Sequence, residues 1–179
     1  FILLILFVLL SKNSISQFVV NFTASSTVAC AGESINFTDL STSPGGVVSW
    51  VWDFGDGNSS TLQNPSHSYT TAGTYTVILT ANNGSTSVDE VKANYIVVNP
   101  LPQASFNLSS PPCTLPANVS ITNVLPSSGV SYQWDFGNGQ TSNVQNPTPQ
   151  NYSTEGTYNV ELVVVNTTTG CENSIIKPL

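Results

Sequence analysis

The sequence predicts an all-β protein, two antiparallel β-sandwiches in tandem, and three observations carry that expectation. The first is a motif that occurs twice, Trp52-Asp53-Phe54-Gly55-Asp56-Gly57 and Trp134-Asp135-Phe136-Gly137-Asn138-Gly139. The first copy is followed by Gln63-Asn64-Pro65 and Gly73-Thr74-Tyr75, the second by Gln145-Asn146-Pro147 and Gly156-Thr157-Tyr158. Upstream, Ile35-Asn36-Phe37-Thr38-Asp39 matches Val119-Ser120-Ile121-Thr122-Asn123, so the likeness runs through whole units. Repetition of this kind means two copies of one small domain.

The second observation is the period of the large side chains. Val48, Trp50, Trp52 and Phe54 alternate with Ser49, Val51 and Asp53, and the second unit repeats the pattern at Val130, Tyr132, Trp134 and Phe136. A second alternating run follows in each unit, through Tyr75, Val77, Leu79 and Ala81 and through Tyr158, Val160, Leu162 and Val164. Period two marks strands that turn one face into a core, which makes Trp52, Phe54, Tyr75, Trp134, Phe136 and Tyr158 the expected core of the motif. The third observation is the turn chemistry between the runs. Gly-Asp-Gly and Gly-Asn-Gly tolerate positive φ and close hairpins, and the Asn-Pro that follows breaks a strand. No convincing helical period follows the N-terminus. Short strands with turns at this spacing argue for immunoglobulin-like sandwiches over residues 17–99 and 100–179.

The ordered set Trp-Asp-Phe-Gly-Asp-Gly, Asn-Pro, His-x-Tyr and Ala-Gly-Thr-Tyr-Thr-Val resembles the PKD (polycystic kidney disease) domain, which implies a seven-stranded immunoglobulin-like sandwich for each unit. In the first unit the match runs through Trp52 to Gly57, Asn64-Pro65, His67, Tyr69 and Gly73 to Val77; the second departs at Asn138 and has no His before Tyr152. The resemblance covers nearly everything from Phe18 to Leu179 and is similar to PKD units of large bacterial surface and secreted proteins. It implies an extracellular module used as spacer, adhesive surface or binding platform.

The N-terminus points to export on its own account. Phe1 to Leu10 is a continuous apolar run, followed by Ser11-Lys12-Asn13 and the small residues of Ser14-Ile15-Ser16. This is the pattern of a signal peptide over residues 1–16, and the run falls short of the roughly 20 apolar residues a bilayer span needs. A stub of a longer anchor is the competing reading. At the other end, Ile175 to Leu179 are expected to hold only half of the last strand. Asn99-Pro100-Leu101-Pro102 is a short, stiff junction between the units.

Charge excludes some partners. Charged residues make up 7% of the chain, with three Lys, no Arg and ten acids for a net charge of −7. Without a basic patch, binding to phosphate backbones has no electrostatic source, so nucleic acid is not an expected partner. The mature fragment is not expected to insert in a membrane, and the isolated domains are expected to be monomeric. A surface rich in Ser, Thr, Asn and Gln suits contacts with extracellular proteins or carbohydrates, and suits an inert spacer equally.

Of the three cysteines, Cys30 and Cys113 hold equivalent places before the second strand of each unit, and Cys171 has no counterpart. The expected disulfide is Cys113 to Cys171, inside the second unit, stabilising by about 4 kcal/mol in the chain-entropy account. Cys30 is then a thiol, either reactive between chains or a buried small hydrophobe.

Catalytic residues are not expected. His67 is the sole histidine and sits at a position the resemblance marks as structural, with no nucleophile-elbow pattern beside it. Asp39, Asp53 and Asp56 have two readings. They either accept backbone N–H bonds that shape the turn or supply oxygens to a calcium ion, which needs six to eight of them. No other cofactor is implied. Asn-x-Ser/Thr sequons at Asn21, Asn36, Asn58, Asn83, Asn107, Asn118, Asn151 and Asn166 matter only in a host that glycosylates them. The function expected is a non-catalytic extracellular module, spacer and contact surface of an adhesin-like or large secreted protein. The alternative is the accessory region of a secreted protease or polysaccharide-degrading enzyme.

Overall fold

Alternation of buried and exposed residues, legible in the sequence, becomes alternation across sheets in three dimensions. The computed structural model describes residues 17–109, 114–122, 124–125 and 128–179, and these contain strands and turns without a helix. The expected signal segment 1–16, Cys113 and Asn123 lie outside the described residues.

The first repeat contributes β1 (Phe22–Ala24), β2 (Val28–Cys30), β3 (Ser34–Asp39), β4 (Ser49–Asp53), β5 (Ser59–Ser60), β6 (Ser66–Ser68), β7 (Gly73–Asn82) and β8 (Ser87–Asn99). One sheet has the order β1-β3-β6 and the other β2-β8-β7-β4-β5. The described strands number eight rather than seven, because the return leg of the motif turn pairs back as β5, Trp52 opposite Ser60 and Asp53 opposite Ser59. Val48, expected at the head of the inward series, is exposed: it precedes β4, and its N–H is spent on the carbonyl of Asn82.

The second repeat contributes β9 (Asn107–Leu108), β10 (Ala117–Val119), β11 (Ile121–Thr122), β12 (Val130–Asp135), β13 (Thr141–Ser142), β14 (Gln150–Tyr152), β15 (Asn159–Asn166) and β16 (Glu172–Pro178). β13-β12-β15-β16 form one sheet, while β10 pairs with β14 and β11 with β9. Sequons Asn36 and Asn118 fall inside β3 and β10.

The described residues group into two compact units. One comprises the chain up to Thr27 with Ser34–His67 and Tyr75–Ile96; the other comprises Val28–Glu33, Ser68–Thr74 and Val97–Leu179. The first holds an aromatic core, in which Phe22 of β1 meets Trp52 of β4 edge-on at 5.1 Å and Phe37 of β3 lies 5.2 Å from Phe54. The second has the corresponding edge-on pair, Phe106 and Trp134, at 5.0 Å. Trp52, Phe54, Trp134 and Phe136 are all buried, whereas Tyr75 and Tyr158 are only half-buried. The buried tyrosines are instead Tyr69, Tyr132 and Tyr152. Tyr158 packs on Tyr152 at 4.6 Å and keeps its hydroxyl at the rim, bonded to Thr154.

Candidate functional site

The repeated turn is built by its own side chains. Asp53 Oδ1 accepts the N–H of Gly55 at 2.8 Å, and Asp56 Oδ1 accepts that of Asn58 at 3.1 Å. These are short-range Asx interactions, which bend the backbone where Gly55 and Gly57 take positive φ. Gly55 is required for a second reason. A Cβ there would stand 2.3 Å from the carbonyl oxygen of Thr76 on β7, so the turn can lie on the strand only without a side chain. Asp56 Oδ2 faces the Nε2–H of His67 at 2.8 Å, and the His67 ring stacks on Phe54 at 4.2 Å. Burial opposes the charge on Asp56. The bonds from the Asn58 side chain, His67 and the Asn58 backbone, with the attraction of His67, outweigh it and hold the carboxyl below its ordinary value.

The second copy repeats the frame and drops the carboxylate–imidazole bond. Asp135 Oδ1 accepts Gly137 N–H at 2.8 Å, Asn138 Oδ1 accepts Gln140 N–H at 3.0 Å, and a Cβ on Gly137 would stand 2.7 Å from the carbonyl oxygen of Asn159. Asn138 then donates to the carbonyl of Asn151 at 3.1 Å, so a neutral bond stands where Asp56 meets His67. In both copies the Trp indole N–H is satisfied by a carbonyl, Leu62 at 2.9 Å and Val144 at 3.0 Å. Tyr152 donates to the carbonyl of Phe136 at 2.9 Å, and burial, with smaller contributions from Tyr158 and Asp135, pushes its pKa up.

Both repeats match a known family. A family model described as the PKD domain matches the chain twice, over residues 19–98 and 99–177. The chain belongs to the PKD domain family. Pre-pro-metalloprotease PrtV of Vibrio cholerae serotype O1 is 44% identical over 69 residues, 37% of this chain and 8% of that protein. Collagenase ColA of Bacillus cereus is 44% identical over 63 residues, 34% of this chain and 6% of that protein. A microbial collagenase of Vibrio alginolyticus is 52% identical over 50 residues, 27% of this chain and 6% of that protein. The chain thus spans less than a tenth of these relatives. Among solved structures, the PKD1 domain of Vibrio anguillarum Epp matches at 33% identity, over 46% of this chain and 95% of that one, with a TM-score of 0.39.

The cysteines of these PKD repeats require a correction. Cys171 is bonded to Cys30, with Cα atoms 5.6 Å apart, and not to Cys113. The reason is the placement of the segment Val28–Glu33, which belongs to the second compact unit although it lies in the first repeat. β2 runs parallel to the end of β8, Cys30 opposite Asn99, and Ala31 N–H donates to the carbonyl of Asn99 at 2.9 Å. Cys171 follows the tight turn in which Asn166 N–H bonds its carbonyl at 2.8 Å, and it is fully buried. Cys30 is therefore no thiol. A recess of about 420 Å³ adjoins the bridge, lined by Cys30, Ala31, Gly32, Glu33, Leu101, Gly170 and Glu172. Glu33, itself exposed, accepts Cys30 N–H at 2.7 Å.

The three candidate calcium ligands are engaged separately. Asp39 accepts from Ser41 N–H at 2.9 Å, Trp50 Nε1 at 2.7 Å and Gln63 Nε2 at 3.2 Å, while Asp53 and Asp56 hold the turn. Among the described residues no three acidic, His or Cys side chains gather into a metal-binding group. His67 is bonded to Asp56 and stacked on Phe54.

Two residues with a repeated role escape sequence reasoning. Lys92 donates to the carbonyl of Phe22 and lies 4.6 Å from that ring; Lys177 donates to the carbonyl of Phe106 and lies 5.3 Å from that ring. The available signal is that both lysines sit in the last strand of their repeats, in a chain with only three.

Proposed function

We propose that this PKD pair is a non-catalytic accessory segment that works outside the cell, holding domains apart and offering its surface to proteins or carbohydrates. The observation that carries the reading is the extent of similarity. Three relatives named as a metalloprotease or collagenases share only 50 to 69 residues with this chain, 6–8% of their own length. What is held in common is a module, and its most repeated feature is a turn whose polar groups are consumed in shaping the backbone. The accessory role beside a secreted protease or collagenase is favoured over an adhesin by those relatives' names. The low charge and the absence of Arg disfavour nucleic-acid partners.

The test has two arms. Purified chain is assayed on peptide, ester and glycan substrates, where no turnover above background is expected, and turnover that vanishes in His67→Ala overturns the reading. The same chain is then sedimented with insoluble collagen and with insoluble polysaccharide. Retention on collagen supports the accessory role, and retention on polysaccharide alone moves the assignment to a carbohydrate-contacting module. Retention on neither leaves the spacer role as the surviving part.

A further inference from the structure

We infer that the Cys30–Cys171 bond is a mechanical bypass, which takes tension applied to the two ends of the chain across the sulfur–sulfur bond and leaves both motif turns out of the load path. The inference rests on covalent connectivity, and stands whether or not the spacer reading does. The two half-cystines are 141 residues apart. Everything from β3 through β15, with both Trp-Asp-Phe-Gly turns and all three Trp residues, lies inside the ring they close. Outside it, among the described residues, lie the N-terminal stretch with β1 and β2 on one side and β16 on the other.

Both attachment points are seated in hydrogen-bonded structure. Val28, Ala29 and Cys30 pair in parallel with Val97, Val98 and Asn99, and Cys30 N–H is held by Glu33. On the other side Cys171 closes the hairpin between β15 and β16, with Val165 opposite Glu172 and Gly170 N–H bonded to the Asn166 carbonyl. A pull therefore strips β1 from its three-residue pairing with β3, and β16 from β15, and then meets a covalent bond. A ring of this size stores about 480 Å of chain at the extended rise per residue, and the residues outside it hold only about 130 Å. An unbridged tandem repeat would let each sandwich unravel in turn. Here the extension is capped before either motif turn is loaded.

The experiment is single-molecule pulling of the whole chain by its two ends, in a Cys113→Ser background so that no third sulfur can exchange. In oxidising buffer the total extension should not exceed about 130 Å, and adding a thiol reductant to the same tethered molecules should release about 480 Å more. Cys171→Ser should behave as the reduced chain does, and because reductant acts on a protein already folded, the result does not depend on that variant folding well. Release of the full length before reduction overturns the inference. So does mass mapping of the oxidised chain that finds Cys30 and Cys171 in unlinked peptides.

Discussion

Lys92 reaches back to the first strand of its repeat, where its ammonium donates to the carbonyl of Phe22 at 2.5 Å and lies 4.6 Å from the centre of that residue's ring. Lys177 and Phe106 reproduce the arrangement in the second repeat. Each lysine thus closes a sandwich by satisfying a backbone acceptor of the first segment of its repeat, Phe22 in β1 or Phe106 just before β9, while its charge rests near an aromatic face.

Replacing Lys92 by Met keeps the stem and removes the donor. The loss expected is about 1–3 kcal/mol, the penalty for leaving a shielded carbonyl without its partner together with the lost cation–π contact. Lys177→Met should cost about the same. Urea unfolding monitored by Trp fluorescence measures both, and a loss below about 0.5 kcal/mol in each would mean the contacts are ornamental.

Gly55→Ala and Gly57→Ala separate two kinds of constraint. Gly57 has positive φ and open space around it, so Ala there should cost about 1–2 kcal/mol for the left-handed backbone alone. At Gly55 the added methyl would also meet the Thr76 carbonyl oxygen, and the cost should reach about 3 kcal/mol or more. Equal melting points for the two variants would contradict the close approach of turn and strand.

Acid should act on the Asp56–His67 pair. The Asp56 carboxyl lies below its ordinary value of 3.8 in the fold, so its contribution is fully present above that pH and is lost as pH falls through the lower folded value. Thermal melts compared between pH 7 and pH 3 should therefore show a smaller acid-induced drop in Asp56→Asn than in the parent chain. Asn138→Asp, which adds an acid with no histidine to meet it, should not enlarge the drop. An Asp56→Asn chain as acid-sensitive as the parent refutes the assignment.

Trp52→Ala and Trp134→Ala should each cost about 3–5 kcal/mol, since both indoles are buried and each has its N–H bonded to a loop carbonyl. Calorimetry of either variant should show one sandwich melting well below the other.

What the sequence discloses here is what local periodicity encodes. Trp52, Phe54, Trp134 and Phe136 announce themselves through alternation along one strand, and the turns through Gly and Asp at fixed offsets. Tyr75 and Tyr158 satisfy the same alternation yet end half-exposed, because burial at a strand end depends on what lies across it, and alternation says nothing of that. The lysine contacts join residues 70 and 71 positions apart, beyond any local signal. The disulfide is hidden from the sequence for a different reason. Cys30 and Cys113 hold equivalent places and only the second repeat has a further Cys, which points to a bridge within that repeat, but the segment holding Cys30 packs in the compact unit that contains Cys171.

The two lysines that close the sandwiches have one more consequence. Proteases whose specificity pocket carries an acidic residue cut after Lys or Arg in exposed, extended chain. Beyond Asn13 this sequence offers such an enzyme only the bonds after Lys92 and Lys177, and the latter is followed by Pro178. The bond after Lys92 lies within β8, and the lysine is already committed to Phe22. A segment made this way can sit beside trypsin-like enzymes and stay whole without an inhibitor, because its chemistry leaves them almost nothing to grip.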